Sequence, residues 1–114
     1  EACSLVAVRI ATGRRHQIRS HASHVGSPLV CDSRYANRAT FSCDRAWCRR
    51  NFLHRYRLAL RDARGAAREL LEPLPGDLLG PLRRLAARDG ASAHALREWL
   101  RGAGAKDWEQ CAVL

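Results

Sequence analysis

The sequence predicts an α+β fold: a mixed or antiparallel sheet covered by helices on one face, with extra helices at the C-terminal end. Three observations predict it. Residues 3–11 and 52–60 alternate side chains with a period near two, the pattern of a half-buried strand. Residues 14–25 and the stretch after Pro75 instead repeat apolar side chains at helical spacing. Strands separated by single helices build a sheet with a helical layer upon it. At 114 residues the chain is one domain or part of one, long enough for a modest core.

Taken in order, residues 3–11 place Leu5, Ala7 and Arg9 on one face of a strand and Val6, Val8 and Ile10 on the other. Thr12-Gly13 breaks this strand, with Thr12 as a helix cap. In the helix over 14–25, Ile18, Ala22 and Val25 form one stripe. Arg15 and Arg19 line one flank of it, and Gln17, His21 and His24 lie across the other. Gly26 ends that helix. Pro28-Leu29-Val30 is a short extended piece, and residues 36–50, lacking apolar periodicity, read as a solvated loop. Phe52, His54, Tyr56, Leu58 and Leu60 share one face of a second strand. Residues 66–72 read as a third strand, although Ala67-Arg68-Glu69-Leu70-Leu71 fits a helix start equally. Pro75-Gly76-Asp77 opens a helix carrying Leu78, Leu79, Leu82, Leu85 and Ala86, which Gly90 closes. Ser92 caps a last helix over 93–101, with Leu96, Trp99 and Leu100 on one side. Residues 102–114 show no clear period, and no internal repeat occurs.

The charge is strongly one-sided. Residues 1–60 carry eleven arginines and three acids; residues 61–114 carry nine cations and eight acids. A basic half of this kind is the footprint of a phosphate-binding surface. All but one of the cations are arginine, whose planar fork suits phosphates and stacking on bases. No apolar run approaches the roughly 18 residues of a membrane span, and no leader pattern opens the chain. Five cysteines, an odd number, predict reduced thiols in an intracellular setting, with the compartment open. Cys43 and Cys48, with Cys31 and His21 or His24, would be the only route to a structural zinc, and free thiols are the expectation.

Arg19 lies at the edge of an apolar stripe, so its stem can be buried while its head holds an anion in a cleft. Arg14 and Arg15 stand in the first helical turn, against the helix dipole unless an anion meets them. His16, His21 and His24 spread over about 140° of helix and read as hydrogen-bonded structural groups. Trp99 and Trp108 read as packing residues, and Trp47, in the basic loop, as the stacking candidate.

The run Thr12-Gly13-Arg14-Arg15-His16-Gln17-Ile18-Arg19, followed by Gly26, Pro28, Asp32 and Tyr35 at fixed spacing, resembles a motif of the RluA-type RNA pseudouridine synthases. That family writes it T-G-R-T-H-Q-I-R, then G-x-P-x-x-G-D-x-x-Y. Phe52-Leu53-His54 resembles the family's L-H-A strand, and Leu74-Pro75-Gly76-Asp77-Leu78 its L-P-x-D-L segment, so the match covers roughly residues 5–85. The resemblance implies a partial pseudouridine synthase fold and isomerisation of uridine in RNA, without metal or organic cofactor. It implies that Arg19 pairs with the nucleophilic aspartate, keeping it charged and aimed at a flipped-out uridine. It implies that Leu53 packs near the base and that Asp32 ties a turn. The RNA, ribosomal or transfer, would be gripped by Arg14, Arg15, Arg34, Arg38, Arg45, Arg49 and Arg50.

The sequence also departs from the family. Arg15 replaces threonine, Arg55 replaces a small residue, and Cys31 stands where the family has glycine, a change that strains the corner if positive φ is needed there. No H-R-L-D-type segment occurs, and none of the six aspartates lies in that context. The family's catalytic tyrosine has no counterpart, since neither Tyr35 nor Tyr56 fits it. The expectation is therefore residues 1–87 as the C-terminal portion of the catalytic domain and 88–114 as a helical extension. The nucleophile would come from another stretch of polypeptide, the N-terminal half of that domain, and the chain alone would be inactive. The competing expectations are an inactive remnant that still grips RNA and a small zinc-stabilised nucleic-acid protein.

Overall fold

The computed structural model describes residues 2–104 and 108–111. The chain runs α1 (Gln17–His24), α2 (Arg38–Arg45), β1 (Arg57–Arg61), β2 (Ala67–Leu71), α3 (Gly76–Arg83) and α4 (Gly90–Leu100), then a 3-10 turn at Trp108–Gln110. It is an α+β chain whose sheet, among the described residues, is one antiparallel hairpin.

That hairpin corrects the expected covered sheet. β1 and β2 pair from Arg57↔Leu71 to Arg61↔Ala67. All but one of their residues are exposed, and among the described residues no α-helix packs on them. The turn is held by Asp62, whose Oδ1 accepts from the Arg64 and Ala66 amides, while Gly65 takes φ 80°. Residues 3–11 carry a single bridge, at Arg9, so among the described residues the expected first strand has no ladder. The alternation over 52–60 holds at Phe52, His54 and Tyr56, which are half-buried, and lapses at Leu58 and Leu60.

The apolar core lies at the other end of the chain. Leu74, Leu78 and Leu82 are buried, and Phe52, Leu79, Leu85, Leu96, Trp99 and Leu100 pack around them. α4 thus rests on α3. The boundary between the two helices differs from expectation. α3 ends at Arg83, beyond which the Arg84 and Leu85 amides turn to the Pro81 and Leu82 carbonyls in i→i−3 bonds. Gly90 does not close that helix but opens α4, because Asp89 is the cap and accepts from the Ser92 amide at 2.7 Å. Tyr56 ties the C-terminal segment back. Its hydroxyl donates to the Gly102 carbonyl at 2.8 Å and its ring meets Trp99 edge-on.

A second, polar centre joins α1, the corner after it and α2. Its buried members are Cys31, Asp32, Asp44 and Cys48. The loop expected over 36–50 contains α2, capped by Asn37, whose side chain accepts from Thr40. This helix is fixed by charge rather than by an apolar stripe: Asp44 is buried and its Oδ2 accepts the Cys31 amide at 2.8 Å.

Candidate RNA-binding cleft around Arg19

α1 presents Arg19 to the corner at Asp32. His16 enters α1 with φ 55°, and Gln17 folds its side chain back so that Oε1 accepts the Arg14 amide and the Thr12 hydroxyl, both at 3.1 Å. This fixes the turn before the helix. Ile18 and Ala22 of the expected stripe are half-buried, while Val25 is exposed.

Arg19 donates from Nε to Asp32 Oδ2 at 2.8 Å and from Nη2 to Oδ1 at 2.7 Å. The carboxylate also accepts the Arg34 and Tyr35 amides and the Asn51 side-chain amide. Asp32 thus accepts the two amides of the turn that follows it. The Arg19 hydrogen bond, opposed by burial, draws its carboxyl down to about 2. The same bond raises Arg19 further above its ordinary value.

The third nitrogen of Arg19 fixes the His16 tautomer. Nη1 can only donate, so His16 Nε2 accepts at 3.2 Å, and Nδ1 carries the proton toward the Tyr35 hydroxyl at 3.3 Å. Burial, then the Arg19 cation, pushes the imidazole below its ordinary value and keeps it neutral. The Tyr35 ring closes the cluster, 5.3 Å from the Arg19 guanidinium carbon and edge-on to His16.

A cleft of about 440 Å³ opens beside this cluster. Arg14, Arg19, Arg50 and Arg55 line it together with His16, Asn51 and Leu53. The structure thus brings Arg14, Arg19, Arg50 and Leu53 to one cavity. Gly13 and Gln17 also line it. Arg15, Arg34, Arg38, Arg45 and Arg49 lie outside it, Arg34 beside Tyr35 and Arg38 at the start of α2. Gly26 follows α1 with φ 81°, and Pro28 is half-buried in the corner.

Asn51 was not legible as a site residue. It sits one position before the apolar alternation, with no spacing signal. Arg55 stood out only as a departure from the family pattern. Cys31 adopts φ 58°, so the corner does use the left-handed conformation that glycine would take freely. Burial raises the Cys31 and Cys48 thiols, which keeps them protonated, and Cys3, Cys31, Cys43 and Cys48 are free thiols. Among the described residues no three His, Cys, Asp or Glu side chains cluster to hold a metal ion, so Cys43 and Cys48 find no third ligand there.

The chain is similar in sequence to several known proteins. Over 92 residues, 80% of the chain, it is 42% identical to an RNA pseudouridine synthase of Chloroflexus aurantiacus, itself uncharacterised, and covers 27% of that protein. Over 31 residues, 27% of the chain, it is 58% identical to the ribosomal large subunit pseudouridine synthase D of Pseudomonas aeruginosa, covering 10% of it. The chain is thus similar to RNA pseudouridine synthases, consistent with a fragment of the RluA type. A 51-residue stretch is also 51% identical to a MATH and LRR domain-containing protein of Plasmodium falciparum, where it covers 0% of the length to the nearest per cent. No family model and no solved structure matches the chain. The chain spans about a quarter or less of these pseudouridine synthase relatives. Among the described residues no helix is long and apolar enough to cross a membrane.

Proposed function

We propose that this chain supplies the arginine wall of a site that isomerises uridine to pseudouridine in RNA. One observation carries the reading: Arg19, buried but for 20% of its side-chain surface, lines a basic cleft that also holds Leu53. Arg19 spends three of its five N–H groups on Asp32 and His16. Two remain for a second carboxylate, the nucleophile of an H-R-L-D segment from another stretch of polypeptide. Such a pair keeps that carboxylate ionised and fixes its direction. Leu53 then packs against the flipped uracil, and Arg14, Arg50 and Arg55 draw in the flanking phosphates. The uracil is detached, turned and rejoined to the ribose through carbon; Arg19 holds the nucleophile in register throughout. On this reading the exposed hairpin and the extended 52–56 segment belong to a partial pseudouridine synthase fold. The other half of that catalytic domain completes it.

The test is tritium release from RNA labelled at uridine C5. The chain alone should release none. Fused behind a segment bearing the H-R-L-D motif, it should release tritium, and Arg19→Ala should lower that rate by at least about a hundredfold. A fusion that folds and stays inert, or one indifferent to Arg19→Ala, would refute the reading.

A further inference from the structure

A second depression, of about 390 Å³, lies between the end of α2 and α3. Half-buried Trp47 lines it, with Arg45, Arg49 and Arg84 around it. Among the described residues no carboxylate is paired with any of these three arginines. Asp77, the acid in this wall, is already held by Arg50 at 2.5 Å. Of the other arginines, Arg9, Arg19, Arg57, Arg68, Arg88 and Arg101 each meet an aspartate or glutamate, whereas nine, Arg14 and Arg55 of the cleft among them, pair with none among the described residues.

The Arg50–Asp77 bridge is also the partition between the two depressions. Arg50 lines the cleft and Asp77 lines the groove. A chain molecule leaving the cleft over this bridge enters a place with three uncompensated cations and an indole. An acidic peptide would satisfy the cations and leave the indole unused. A nucleotide satisfies both, because its phosphate meets the guanidinium forks and its base has a flat face to stack.

We infer that this groove holds a nucleotide of single-stranded RNA flanking the one in the cleft, its base on Trp47 and its phosphates on Arg45, Arg49 and Arg84. The inference rests on the cleft's being an RNA site.

The test is fluorescence anisotropy with the full chain and two labelled RNAs, a uridine-centred trinucleotide and a longer single strand extending it. Trp47→Ala should weaken the longer RNA about tenfold and leave the trinucleotide unchanged, while Trp47→Phe keeps most of the affinity. Arg49→Ala with Arg84→Ala should lower the salt slope for the longer RNA by roughly 0.7 for each phosphate no longer neutralised. Arg14→Ala with Arg55→Ala, in the cleft, should weaken both RNAs, and Arg64→Ala, at the hairpin turn, neither. Circular dichroism establishes that each variant folds. If the groove variants bind the longer RNA as wild type does while the cleft variants fail, the groove inference falls and the cleft reading stands. If a polyglutamate peptide competes equally and Trp47→Ala changes nothing, the groove is a peptide site and the inference falls. If neither RNA binds, both readings fall.

Discussion

Arg19 and Asp32 meet along two parallel hydrogen bonds of 2.8 and 2.7 Å, and the carboxylate between them is fully buried while the guanidinium reaches a cleft. The arrangement makes Asp32 the support that fixes the Arg19 guanidinium in the cleft wall. A cation held on one edge by a buried acid is aimed before any ligand arrives.

Removing that support should be costly. In Asp32→Asn the side-chain oxygen can still accept the Arg34 and Tyr35 amides, but an N–H₂ now confronts the Arg19 donors. Breaking one side of such a pair should cost about 3 kcal/mol in urea denaturation.

The same pair sets an acid limb. The Asp32 pKa is depressed from 3.8 to about 2 in the folded chain. Its contribution, about 2 kcal/mol, is therefore fully present above pH 3.8 and lost as pH falls through 2. Asp62, Glu69, Asp77 and Asp89 are also depressed and add to the wild-type limb. The measurement is the difference between wild type and Asp32→Asn across this range, which should shrink as the pH drops.

Cys31 holds φ 58° at a buried corner. Cys31→Gly should change stability by less than about 1 kcal/mol, because relief of backbone strain offsets the smaller side chain and the added chain entropy. Cys31→Val should cost about 2 kcal/mol, since a β-branched residue tolerates this conformation worst. Thermal melts of both variants should order them glycine above valine.

Gly104 lies against Tyr56. A Cβ there would come within 2.5 Å of the ring Cζ and hydroxyl, and Trp99, Trp108 and the Gly102 carbonyl hold that ring in place. Gly104→Ala should cost about 2 kcal/mol. Gly80→Ala, in α3 with nothing within 4 Å of the new methyl, should instead gain about 0.5 kcal/mol. The two melting temperatures should move in opposite directions.

Leu78 is fully buried at the contact of α3 with the residues around it. Leu78→Ala should cost about 3 kcal/mol. Because Leu96, Trp99 and Leu100 pack on the same cluster, tryptophan fluorescence and helical dichroism should fall in one coincident transition. Two separated transitions would mark residues 1–87 and 88–114 as independent units.

What the sequence made legible follows from what each element uses to hold its place. α3 and α4 were readable because leucines and Trp99 at helical spacing are what pins them. α2 was not, because its anchor is Asp44 bound to the Cys31 amide, and a buried acid leaves no apolar period. Its one signal was Asn37, a good cap without a stripe behind it. Gly90 misled for a related reason. Glycine after a leucine-rich run reads as a terminator, but Asp89 caps forward through the Ser92 amide. At the site, helical position singled out Arg19 and the family resemblance singled out Asp32, and only the fold shows that they are each other's partner.

The hairpin leaves Leu58, Leu60, Leu70 and Leu71 between 38% and 59% exposed, on a ribbon of two strands whose outer edges pair with no further strand among the described residues. Two-stranded ribbons are marginal by themselves in water, and open edges invite further strands. Attraction driven by those leucines strengthens in sulfate, whereas grip on a polyanion weakens as ionic strength rises. Preparations of this polypeptide should therefore clump in concentrated sulfate, so that purification by salting out and recovery of monodisperse material pull in opposite directions.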